Sequence, residues 1–134
     1  MMARRTQTRS KLLQMLRGSM IVVDCKNALS LAELREMAAA KFGDLVKVVV
    51  DVKRGCMAVD AELHADEEAL LLEGGSERPD LWGINLYPDL EGDDFIEFDS
   101  MINLRPSRGN RSRGVEDPAI QARIRTIVAR LVIR

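Results

Sequence analysis

The chain has 134 residues, 46% hydrophobic and 31% charged, which is the balance of one soluble globular domain. Nine Gly, four Pro and two Cys exclude a collagen-like or disulfide-framework protein, and the apolar content with a net charge of −1 excludes a disordered chain. That small net charge is segregated: residues 1–19 carry five basic residues and no acid, residues 20–104 a net of −12, and residues 105–134 a net of +6.

Residues 1–19 read as a basic N-terminal extension. Arg4, Arg5, Arg9, Lys11 and Arg17 among Ser and Thr have the composition of a mitochondrial transit peptide, with a short amphipathic helix over 9–17 as the alternative. Met20, directly before the strand-like Ile21-Val22-Val23, is a candidate initiator, and a single domain is expected over 20–134. No apolar run approaches the ~20 residues that cross a bilayer, so no membrane partner is expected.

Ser30 and Glu33 form an S-x-x-E capping box, in which each side chain can bond a free backbone N–H at a helix start. Leu31, Leu34, Ala38 and Phe42 recur at helical spacing up to Gly43, which suits a left-handed C-cap. Val46, Val48, Val50 and Val52 then share one face of a strand. Lys53-Arg54-Gly55 reads as a hairpin loop with Gly55 at the position that needs positive φ, and 56–62 returns as the partner strand. The run Ala69-Leu70-Leu71-Leu72 is too short for periodicity to decide, and the neighbouring hairpin and the Gly74-Gly75 stop favour a strand. Segments 81–87 and 95–104 read as further strands, the latter with Ile96, Phe98, Ile102 and Leu104 on one face. Asp117 as N-cap, Pro118 at the first helical position, and Ile120, Ile124, Ile127, Val128 and Leu131 at helical spacing predict a C-terminal amphipathic helix. The expected fold is α+β, an antiparallel β-meander of about five strands with the N-terminal and C-terminal helices packed on one face.

Two segments carry candidate chemistry. His64 stands beside Asp66, Glu67 and Glu68; in an extended segment His64, Asp66 and Glu68 share one side. That grouping suits a general acid–base pair or a metal ligand set. With one His, no H-E-x-x-H and no C-x-x-C, the metal is undefined and no motif requires a cofactor. A solvated polar connection is the plainer alternative. The second segment runs from Asn103 to Gly114 and holds four Arg, two Asn, two Ser and two Gly. Guanidinium forks grip oxyanions bidentately, amides and hydroxyls donate, and glycines let backbone N–H groups approach. Asn103, Arg105, Asn110, Arg111 and Ser112 are the expected anion grip; the alternative is an Arg-rich linker paired to the acidic middle of the chain. Cys25 and Cys56 lie in or beside apolar runs and are expected as buried small hydrophobes in a reducing, cytoplasmic compartment. Trp82 is expected in the core.

Several strings also carry a resemblance: Val50-Asp51-Val52 with Arg54-Gly55, Glu62-Leu63-His64-Ala65-Asp66, Asp80-Leu81-Trp82-Gly83, and Ser100 through Pro106 with Asn110-Arg111-Ser112. From about Met20 onward the chain resembles a family of small prokaryotic proteins classed as a domain of unknown function. The resemblance implies a soluble intracellular protein and leaves residues 1–19 outside the shared region. It brings no activity and no functional residues with it. From the residues themselves, the expectation is a small-anion or phosphate-ester binding module, enzymatic activity left open, with the Arg loop facing His64, Asp66 and Glu68 across one cleft. The alternative is a non-enzymatic assembly or protein-partner module, a homo-oligomer included. Nucleic-acid binding through the two basic ends is disfavoured by the overall acidity.

Overall fold

Alternating valines build the centre of the molecule, whose computed structural model describes residues 19–134. The expected transit-peptide or helical extension lies outside the described residues. Strands β3 (Val46–Asp51) and β4 (Cys56–Val59) form the hairpin around Gly55, whose φ of +70° is the left-handed value expected there. The Asp51 carboxylate closes the turn by accepting from the N–H groups of Lys53 and Arg54, both at 2.9 Å. β1 (Ile21–Val23) pairs with β4, β5 (Leu81–Leu86) with the other side of β3, and β6 (Ile96–Glu97) with β5. All these pairs are antiparallel, giving a five-stranded sheet in the order β1-β4-β3-β5-β6. β2 (Leu29–Ser30) and β7 (Val132–Ile133) form a separate two-stranded parallel pair.

Strand alternation sorts the apolar side chains into two cores. Val46, Val48 and Val50 join Met57, Val59 and Ile84, and are closed by Leu34 and Ala38 of α1 (Leu31–Ala40) and by Ile124, Val128 and Leu131 of α3 (Pro118–Leu131). Val49, Ala58 and Leu81, of opposite parity, pack with Leu71 of α2 (His64–Glu73). Both arms of the α1 capping box are present, at 3.0 and 3.1 Å. Asp117 caps α3 by accepting from the Ala119 N–H at 2.9 Å. Trp82 is in the larger core.

Four expectations need correction. Residues 69–72 are helix, within α2, and the topology supplies the reason. β4 and β5 are each antiparallel to β3, so they run parallel to one another with β3 between them. Parallel strands need a crossover, and α2 is that crossover. In the second case, only Ile96–Glu97 of 95–104 is strand; 3₁₀ turns occupy Gly92–Phe95 and Met101–Asn103, the latter capped by Ser100 Oγ accepting from the Ile102 N–H. Third, Phe42 falls beyond the end of α1 and is exposed, its ring lying 5.2 Å from the Lys47 ammonium. Fourth, Cys25 is exposed while Cys56 is buried, and both are free thiols. Among the described residues no helix is long and apolar enough to cross a membrane.

Candidate functional site

The Arg-rich loop is built around an unmet requirement of β5. β6 covers only Asn85 and Leu86 of that strand, so the outward N–H and C=O of Gly83 need other partners. The Asn103 side chain takes both, accepting from the Gly83 N–H at 2.8 Å and donating to the Gly83 carbonyl at 2.9 Å. It donates also to the Arg113 carbonyl. Gly83 allows this approach, because a Cβ there would stand 2.4 Å from that of Ser100. Asn110 organises the rest of the loop: its amide donates to the carbonyls of Asn103, Ser112 and Gly114 and accepts from the Glu116 N–H. Both asparagines are buried.

Arg105 lies over the Trp82 ring at 4.7 Å and donates to the carbonyls of Ile102, Pro79 and Leu81. Two of the five guanidinium N–H groups are left for another partner. Burial pushes its pKa down, with Arg108 and Arg78 adding like charge and Glu68 opposing. Arg111 and Ser112 are exposed; the Ser112 hydroxyl accepts from the Gly114 N–H at 3.1 Å, and the Arg111 N–H donates to the Glu116 carboxylate. The loop thus brings Asn103, Arg105 and Asn110 together mainly to hold its own backbone.

Helix α2 redistributes the His/Asp/Glu segment. At helical rather than extended phase, His64, Glu67 and Leu71 share the buried side, while Asp66 is exposed and Glu68 half-buried. His64 bonds the Ile84 carbonyl through Nε2 at 2.7 Å, and burial lowers its pKa, so the imidazole is neutral and Nε2 donates. Glu67 is fully buried; Oε2 accepts from the Ala61 N–H at 3.1 Å and Oε1 has no partner. Burial pushes its carboxyl well above the ordinary range. Glu67 is the buried acid that sequence reasoning passed over, and a helical reading of 64–73 is the signal that finds it. Asn85, across the sheet from Lys47, donates to Glu97 at 2.8 Å while its Oδ1 is buried without a partner. Among the described residues, no group of three or more His, Cys, Asp or Glu side chains could hold a metal ion.

One cleft joins the two segments. It encloses about 440 Å³ and is lined by Arg78, Arg105, Ser107, Arg108, Glu68 and the exposed apolar side chains Met101 and Leu104. Of the expected residues, Arg105 and Glu68 line it. His64, Asp66, Asn103, Asn110, Arg111 and Ser112 do not. Arg78 and Arg108 complete it, and neither was singled out, because no local spacing links Arg78 to the loop. Arg78 reaches Glu68 at 3.9 Å. Such a cleft can hold an anion against guanidinium groups while an apolar substituent rests on Met101 and Leu104.

No curated protein and no solved structure matches the chain. A family model matches residues 21–131, so the chain belongs to the family described as Protein of unknown function (DUF5674).

Proposed function

We propose that the protein binds a small organic anion of the phosphate-ester type in the cleft between Arg78, Arg105 and Arg108. The observation that carries this reading is the convergence of three guanidinium groups on one cleft with a single carboxylate, Glu68. Arg105 is fixed by Trp82 and three carbonyls, so its two remaining N–H groups are pre-oriented, which lowers the ordering cost of binding. Arg78 and Arg108 add exposed charge at the rim, and Met101 and Leu104 suit the ester's apolar part. Glu68 is the carboxylate available for proton transfer in that cleft should the ester be turned over. The free thiols Cys25 and Cys56 fit a reducing, cytoplasmic setting.

Titration calorimetry with phenyl phosphate tests the reading. Arg108→Ala and Arg78→Ala are each expected to weaken binding about tenfold, the effect of losing one charge-assisted contact. Equal affinity in wild type and both variants overturns it. A second reading, a protein-partner or self-association surface, is favoured by the exposure of Met101 (61%) and Leu104 (42%) side by side on the same rim. Sedimentation of wild type against Met101→Ser separates the two: a mass that falls in the variant supports the partner surface, and an unchanged monomer removes self-association.

A further inference from the structure

A second basic groove lies between the β3–β4 hairpin and α3 and shares no lining residue with the Arg105 cleft. It encloses about 380 Å³, and its polar lining is Lys53 and Arg54 from the turn with Arg123, Thr126 and Arg130 from α3. Arg123, Thr126 and Arg130 follow at i, i+3 and i+7, so helical phase alone brings them to one stripe facing the turn. No carboxylate lines the groove. Asp51 is buried beneath the turn and engaged by the Lys53 and Arg54 N–H groups and, at 2.6 Å, by the Ser76 hydroxyl.

Two of the cations are fixed in place. Arg54 lines the groove but turns its guanidinium to the end of α2, where Nη1 donates to the Gly74 carbonyl at 2.9 Å and to the Ser76 hydroxyl at 3.5 Å, and Arg123 donates to the Val52 carbonyl. The other two, Lys53 and Arg130, make no side-chain hydrogen bond or ion pair among the described residues. Several other surface cations are paired, Arg35 with Asp89, Lys41 with Asp60, Arg113 with Asp99 and Arg125 with Asp93, while Lys26, Arg108 and Arg111 stand unpaired among the described residues, away from this groove. Arg130 also comes close to the turn, since a Cβ at Gly55 would stand 2.8 Å from its Nη2. Glycine at this position therefore serves both the turn and the guanidinium lying on it.

Lys53, Arg123 and Arg130 around one groove repel one another until an anion enters, and a cleft lined by one sign of charge concentrates counter-ions. A single orthophosphate would fill only part of a groove of about 380 Å³. We propose that this groove is a binding site for a linear polyphosphate group, with Lys53 and Arg130 as the free donors and Arg123 as a fixed charge. Val52, Ala122 and Ile127 form the apolar wall beside these donors.

The test is calorimetric titration of tripolyphosphate and orthophosphate into the full chain at matched ionic strength. Tripolyphosphate is expected to bind at least ~10-fold more tightly than orthophosphate, and Lys53→Ala and Arg130→Ala each to weaken it about tenfold. Arg108→Ala, in the other cleft, is expected to leave tripolyphosphate binding unchanged, so failure here and failure of the phosphate-ester reading are distinguishable. A nucleoside triphosphate arm separates two sources of the same chemistry: tighter binding than tripolyphosphate assigns an organic group to the Val52–Ile127 wall, and equal or weaker binding assigns the bare chain. The proposal is overturned if the two phosphates bind alike, if Lys53→Ala and Arg130→Ala both bind as wild type does, or if Arg108→Ala abolishes the tripolyphosphate response.

Discussion

In the loop over 103–114, Asn103, Arg105 and Asn110 each donate to two or more backbone carbonyls, whereas Lys53 and Arg130 beside the hairpin donate to none among the described residues. Both regions are rich in cations, and the difference lies in the backbone beneath them. The loop covers a stretch of β5 that no strand pairs, so its side chains meet carbonyls and an N–H that require partners. Beside the hairpin, Arg54 and Arg123 take the carbonyls of Gly74 and Val52, and among the described residues no further carbonyl engages Lys53 or Arg130. Availability for a ligand is therefore set by the unmet hydrogen bonds nearby, and composition alone does not reveal it.

The contrast breaks most visibly at Asn103. Asn103→Ala strips partners from the Gly83 N–H, the Gly83 carbonyl and the Arg113 carbonyl, and is expected to cost about 3 kcal/mol or more in urea unfolding. Gly83→Ala is expected to cost a similar ~3 kcal/mol, because Ser100 would have to move. A loss under about 1 kcal/mol in both would show that the loop does not depend on its inward bonds.

Next in size is Glu67, where an acid rather than a cation is engaged by backbone. Burial raises its pKa, so the native chain keeps a proton that the unfolded chain releases. The stabilisation is complete below the unfolded value and is lost as pH rises through the folded one. Glu67→Gln keeps a neutral group at the site and is expected to be more stable than wild type by about 1–3 kcal/mol at alkaline pH, the gap closing on acidification. A gap that does not vary with pH contradicts this. His64 has the opposite sign: its lowered pKa contributes stability above an ordinary imidazole value of about 6.5, and this is lost as pH falls through the folded value. His64→Gln should therefore flatten the acid limb of the wild-type stability profile by about 1 kcal/mol, and an unchanged limb would place its origin elsewhere.

The smallest effects belong to the unengaged cations. Arg111→Lys and Arg130→Ala are each expected within about 0.5 kcal/mol of wild type in thermal unfolding, since neither guanidinium holds the fold. A larger loss in Arg130→Ala would move that residue from the ligand-binding class to the structural one.

Much of the architecture was legible locally. The Ser30–Glu33 box, the Asp117-Pro118 start and the Gly55 turn are short-range signals, and each is realised at its expected residues. Helix α2 was hidden because Leu63 offers no side-chain cap and the Leu70-Leu71-Leu72 run fits either period. Its helical state follows from the β4-to-β5 crossover, a long-range requirement. The same error set the phase of His64, Asp66 and Glu68, and so hid Glu67. The loop was recognisable from its Arg, Asn and Gly, yet Arg78 could join Arg105 and Arg108 only through the fold, 27 residues or more away in sequence.

The most direct test of the central claim is a ¹H–¹⁵N correlation titration of the full chain with phenyl phosphate. Saturable shifts are expected at the amides of Arg78, Asp80, Leu104, Arg105, Ser107 and Arg108, with 53–55 and 123–130 unmoved. Shifts confined to other residues, or none up to about ten millimolar ligand, would contradict a phosphate-ester site at Arg105.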